Sequence, residues 1–67
     1  MPIQVTWELD DRNKDMEVEG LLEAAESVGS HSGFILTRDI EDQWIQRHVR
    51  INVTPVWKWL LEKEISA

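Results

Sequence analysis

Residues 3–9, Ile3-Gln4-Val5-Thr6-Trp7-Glu8-Leu9, decide how the rest of the chain is read. Ile3, Val5, Trp7 and Leu9 alternate with Gln4, Thr6 and Glu8. A period of two is the mark of a β-strand with one buried face. The expectation is that the apolar set faces the core, with Gln4 and Thr6 on the less covered side. Asp10-Asp11 and then Asn13 supply turn and helix N-cap chemistry after the strand.

The periodicity then changes. Val18, Leu21, Leu22, Ala25 and Val28 fall on one face of a helix from about Lys14 to Val28, broadened by Met16 and Ala24. Asp15, Glu17 and Glu19 suit the positive end of its macrodipole. Gly20 costs about 1 kcal/mol relative to Ala inside a helix, which points to close approach of the helix to a sheet. Gly29 is a good residue to end the helix, and Ser30-His31-Ser32-Gly33 reads as loop.

Phe34-Ile35-Leu36-Thr37 is a short apolar run, expected as a strand covered on both faces. Residues 43–46 and 49–53 read as two arms of a hairpin, although Arg47-His48 between them are poor turn formers. Pro55 is expected to stop the ladder and open a helix, along which Trp57, Leu60, Leu61 and Ile65 form a stripe. The order is β-α-β-β-β-α. A strand-helix-strand unit implies a parallel pair with a right-handed crossover, and the hairpin makes the sheet mixed. The fold class is therefore α/β, with a small mixed sheet of about four strands in a single small domain spanning 1–67.

Charge narrows the function. The net charge is -6, and all of it lies in residues 1–33, which carry eight acids and two bases. That half repels phosphates, so nucleic-acid binding by this chain alone is disfavoured. There is no Cys, hence no disulfide or thiolate metal site. No basic segment followed by an apolar one marks a signal peptide, and no apolar run nears the ~20 residues that span a bilayer. These features give the expectation of a cytoplasmic protein without a membrane span.

Two segments together carry a resemblance: IQVTWEL with its helix EVEGLLEAAE, and GFILTRDIED with INVTPVWKWLLE. From Ile3 to about Glu62 the chain resembles the C-terminal end of a large prokaryotic family of predicted AAA-type ATPases. In that family a P-loop module precedes a domain similar to the PD-(D/E)XK, or restriction-endonuclease-like, nuclease fold. The resemblance implies that the strand at residue 3 is central in its sheet, with earlier strands before it. It also places the D/E-x-K tripeptide on Gln4-Val5-Thr6. In such a site carboxylates hold Mg²⁺ and the Lys activates water. Here Gln4 stands for the acid, Thr6 stands for the Lys, and the preceding Asp has no counterpart. No G-x-x-x-x-G-K-[ST] pattern is present to cradle a nucleotide phosphate. The expectation is a chain with no catalytic residue and no cofactor, in which Gln4 and Thr6 are degenerate motif positions.

Other candidates are weaker. His31 and His48 lack metal-ligand spacing. Ser30 and Ser32 flank His31 without forming a nucleophile motif. Asp39, Glu41 and Asp42 follow a strand end, where a divalent ion or an ordinary charged loop are the two readings. Asn52-Val53-Thr54 matches a glycosylation sequon but reads as strand. Trp57 is expected in the core, while Trp44 and Trp59 are less clearly inward. Because Trp is enriched in interface hot spots, Gln4, Thr6, Trp44 and Trp59 are the candidate interface residues. The alternative is that all four Trp pack a small core.

Three functions follow as expectations. The first is a non-catalytic, nuclease-like piece that works through a protein partner or as a homodimer, because an uncovered edge of the first strand invites strand addition. The second is part of a DNA-processing ATPase whose site is completed elsewhere. The third is a small acidic regulator of an unrelated protein, such as a toxin-neutralising protein, with the helix Asp15–Glu26 masking a basic surface. No small-molecule substrate is evident.

Overall fold

The computed structural model of the chain describes residues 1–66, with side chains through Lys63; the expected placement of Ile65 on the last helical stripe lies outside the described side chains. Among these residues the elements run β1 (Ile3–Val5), α1 (Lys14–Val28), β2 (Ser32–Thr37), β3 (Asp42–Gln46), β4 (Val49–Pro55) and α2 (Val56–Ser66). The strands form one mixed sheet in the order β1-β2-β4-β3. β1 pairs parallel to β2, with Gln4 opposite Ile35. β2 pairs parallel to β4, with Ile35 opposite Val53. β3 pairs antiparallel to β4, with Trp44 opposite Ile51. The small mixed α/β sheet anticipated from the periodicity is therefore what the chain forms. β1, expected to be central by the family resemblance, stands at the sheet edge with β2 as its one neighbour.

One helix covers one face. Val18, Leu21, Leu22 and Ala25 of α1 pack on Ile35, Val49, Ile51 and Val53, and Leu9 and the half-buried Trp44 complete the cluster. Full burial of each larger aliphatic side chain contributes about 1.5–3 kcal/mol. The apolar stripe of α1 is narrower than its composition suggests. Met16 and Val28 are exposed, as is Ala24. They sit on the flanks, beyond reach of a four-stranded sheet.

The ends of α1 follow local chemistry. Gly29 adopts φ 67°, and its N–H bonds the Glu26 carbonyl while the Ser30 N–H bonds that of Ala25 at 2.8 Å. This is the Schellman arrangement. At the other end Asn13 occupies the cap position without capping. Its side chain instead closes the preceding loop, accepting from the Asp10 N–H and donating to the Glu8 carbonyl.

The close approach of helix and sheet is at Gly33. A Cβ there would lie 3.0–3.2 Å from three carbons of Leu21, whereas one at Gly20 would meet only Gln4 Oε1, at 3.6 Å. Ser32 and Gly33, expected in a loop, belong to β2, where they pair with Arg50 and Ile51, and the missing side chain of Gly33 lets Leu21 rest on the sheet.

The hairpin forms where the alternation places it. Arg47 and His48 take φ 49° and 64°, the positive values of a type I′ turn, which normally selects Asn or Gly. Arg47 has a compensating contact. Its guanidinium reaches Glu19 at 2.8 Å and Glu26 at 3.7 Å across α1. Pro55 stays in register opposite Thr37, two residues beyond the expected end of the arm at Val53, and α2 starts at the next residue.

Candidate functional site

β1 carries the tripeptide that the resemblance singles out, and its orientation reverses the simplest reading of the alternation. Ile3 and Val5 are exposed, at 46% and 65%, while Thr6 is buried and Gln4 half-buried. Side chains two apart on a strand share a face, and here the Gln4–Thr6 face is turned to α1. Gln4 Nε2 donates to the Glu17 carbonyl at 3.3 Å and to its carboxylate. Thr6 Oγ1 donates to the same carboxylate at 2.9 Å. The side chains expected at an interface thus lie beneath the first turn of α1 and are spent on one acid.

Glu17 was not singled out by the sequence. It falls on the border of the apolar stripe, one residue before Val18 and four before Leu21. An acid there is where a helix can reach polar groups on the outer strand of its sheet. The trio holds one carboxylate and no cation. A Mg²⁺ site needs more, because hard cations take several oxygens with charge among them. Among the described residues no group of three or more His, Cys, Asp or Glu converges to hold a metal ion.

Most of the remaining candidates have structural partners, while Asp39 is exposed in the loop between β2 and β3. Glu41 forms an ion pair with Lys58 of α2. That hydrogen bond holds the Lys58 ammonium above its usual range, with a further contribution from the charge of Glu62. Asp42 accepts from the Gln43 N–H. Ser30 Oγ donates to the Ser32 carbonyl, and the Ser32 N–H donates back to Ser30 Oγ. Asn52 sits within β4, donating to the Gly33 carbonyl at 3.1 Å and accepting from Gln43 Nε2. Its amide is consumed by the sheet, against any use as a sequon. His31 and His48 line one shallow depression with Arg50 and Ser32.

The tryptophans divide. Trp44 packs on the core, with Lys14 Nζ 4.9 Å from its ring centroid. Both line a groove of about 520 Å³ with Asp15, Glu19 and Asp42. Trp59 is half-buried beneath Lys63 Nζ, 4.5 Å from the ring centroid. Trp57 corrects the expectation of a core residue, since it is 56% exposed, with Leu60 and Leu61 exposed beside it. The polar side of α2 is the one turned to the sheet, through Lys58 to Glu41 and through Glu62 beside Phe34 and Asn52. The apolar stripe is real but faces away.

No helix among the described residues is long and apolar enough to cross a membrane. No family model, curated protein or solved structure matches the chain.

Proposed function

We propose that this chain is a non-catalytic interaction module, built like the C-terminal half of a restriction-endonuclease-like domain of the ATPase family it resembles. One observation carries the reading. Gln4 and Thr6, at the positions of the nuclease acid and lysine, aim inward and are bonded to Glu17. Side chains locked under a helix are poorly placed to hold a metal against a scissile phosphate. Apolar side chains also stay open: Ile3 and Val5 on the edge strand, Trp7 after it, and the outer stripe of α2. Exposed apolar surface of this kind marks a contact with another macromolecule.

The test is incubation of the purified chain with duplex and single-stranded DNA in Mg²⁺ or Mn²⁺, beside a Glu17→Gln variant. The reading predicts intact DNA in every case. Cleavage by the wild type that Glu17→Gln abolishes would overturn it.

The groove between α1 and β3 favours a second reading, that of an acidic regulator. Asp15, Glu19 and Asp42 surround the Trp44 ring there, and the ring already accepts a cation from Lys14. A basic protein that quenches Trp fluorescence with a steep salt dependence would support this reading over the first.

A further inference from the structure

One end of the sheet face turned away from α1 is basic. Val49 and Ile51 face α1 in the core, so Arg50 between them points to the far side. The register sets it between Ser32 of β2 and Ile45 of β3. Its own N–H donates to the His31 carbonyl at 2.8 Å, and His48 lies in the turn just before β4. His31, Ser32, Ile45, His48 and Arg50 together line one depression of about 350 Å³. Three strands and a turn thus bring a guanidinium, two imidazoles and a hydroxyl to one place.

The chain makes little internal use of these groups. Lys14 and Lys63 lie over tryptophan rings, and Arg47 and Lys58 pair with acids. Among the described residues the side chains of Arg50, His31 and His48 have no hydrogen bond or ion pair. The Ser32 hydroxyl donates to the Met1 thioether at 3.3 Å, a weak acceptor. No carboxylate of the described residues lines the depression. Glu41, Asp42 and Glu62 line a separate one, with Phe34 and Asn52. His48 also holds φ 64°, where a type I′ turn selects Asn or Gly. Its imidazole has no partner in the chain to offset that strain, and strain retained in this way accompanies function.

We infer that this depression is a binding site for a phosphate monoester. Arginine presents a fork of N–H donors that matches an oxyanion, and the imidazoles and hydroxyl add single donors around it. A carboxylate has two oxygens and is filled by the guanidinium alone. A phosphoryl group has three acceptor oxygens and up to two charges, enough to engage the histidines and Ser32 as well. Ile45, 69% exposed, supplies an apolar wall for the organic part of the ester. A nucleic acid fits less well, because the net charge of -6 repels a strand along its length. A single phosphoryl group meets the local cations, while exposed acids more than about 8–10 Å away are screened at physiological salt. The site is open to water, so its dissociation constant is on the order of millimolar. The inference goes beyond the non-catalytic reading and does not depend on the Gln4–Thr6–Glu17 junction, which lies on the other face of the sheet.

Titration of the isotope-labelled chain with sodium phosphate, phenyl phosphate and sodium acetate at constant ionic strength, read by amide and imidazole NMR shifts, tests the site. Phosphate and phenyl phosphate should give saturating shifts centred on His31, Ser32, His48 and Arg50. Phenyl phosphate should bind tighter by about threefold or more through its contact with Ile45, and acetate about tenfold more weakly than phosphate. Arg50→Gln, verified as folded by circular dichroism, should weaken phosphate binding by about tenfold or more. His48→Gly should weaken it about threefold while raising stability, a combination that a merely structural histidine would not give. Shifts that do not saturate, acetate as tight as phosphate, or a titration unchanged by Arg50→Gln would overturn the site. Equal affinity for phosphate and phenyl phosphate would overturn the ester as its ligand. None of these results touches the non-catalytic reading, which metal-dependent DNA cleavage tests separately.

Discussion

The Thr6 hydroxyl on the edge strand donates to the Glu17 carboxylate in the first turns of α1 at 2.9 Å, and Gln4 Nε2 joins it on the same acid. Because β1 has no second strand neighbour among the described residues, this junction is a main tie between the edge and the helix. Glu17→Ala leaves the buried Thr6 hydroxyl without its acceptor and the half-buried Gln4 amide with only the Glu17 backbone carbonyl. The expected cost is about 1–3 kcal/mol, measured by urea unfolding at neutral pH. Glu17→Gln, which can still accept a hydrogen bond, should lose less.

Two glycines should respond in opposite directions to the same change. Gly33→Ala forces a methyl to within 3.0–3.2 Å of Leu21 and should destabilise by about 1–3 kcal/mol. Gly20→Ala meets only an ordinary contact and should stabilise the monomer by roughly 0.5–1 kcal/mol. Thermal or urea unfolding at low concentration, where self-association does not contribute, reads both.

The hairpin turn stores removable strain. His48 holds φ 64° without a glycine's freedom, a conformation that costs roughly 1–2 kcal/mol for an ordinary residue. His48→Gly should raise stability by about 1 kcal/mol, less the added freedom of the unfolded chain. Arg47→Gly should gain less, since it also forfeits the exposed pairs to Glu19 and Glu26.

The Lys58–Glu41 tie gives α2 an alkaline limit. The folded-state pKa of Lys58 is raised above 10.5 by its hydrogen bond to Glu41, which outweighs the opposing effect of desolvation, and the charges of Glu41 and then Glu62 add to the rise. A raised pKa contributes stability that is present below the unfolded value and lost as pH rises through the folded one. Trp fluorescence and helical circular dichroism should therefore hold up to about pH 10 and change above it. Lys58→Met should flatten that change.

Much of this architecture is legible in the sequence. The periodicity of Val18, Leu21, Leu22 and Ala25, ended by Gly29, defines α1 to its observed bounds. The alternation of Val49, Ile51 and Val53 defines β4 and its hairpin despite unpromising turn residues. What periodicity lacks is knowledge of what lies opposite. In β1 it separates Ile3 and Val5 from Gln4 and Thr6, but not which pair faces the helix. That is settled by Glu17, eleven residues on from Thr6. The stripe of Trp57, Leu60 and Leu61 is correctly apolar, yet α2 is held by Lys58 and the stripe faces away from the sheet. The sequence puts the close approach at Gly20 and leaves Gly33 in a loop, and only the position of Leu21 moves it to Gly33.

The central claim is that the motif-position side chains are fasteners rather than a site, and a double-mutant cycle between Thr6→Val and Glu17→Ala measures it most directly. Urea unfolding of the wild type, both single variants and the double variant gives the coupling. The account predicts a coupling of about 1 kcal/mol between the two positions. Effects that add to within ~0.3–0.5 kcal/mol, as they do for independent sites, would contradict it.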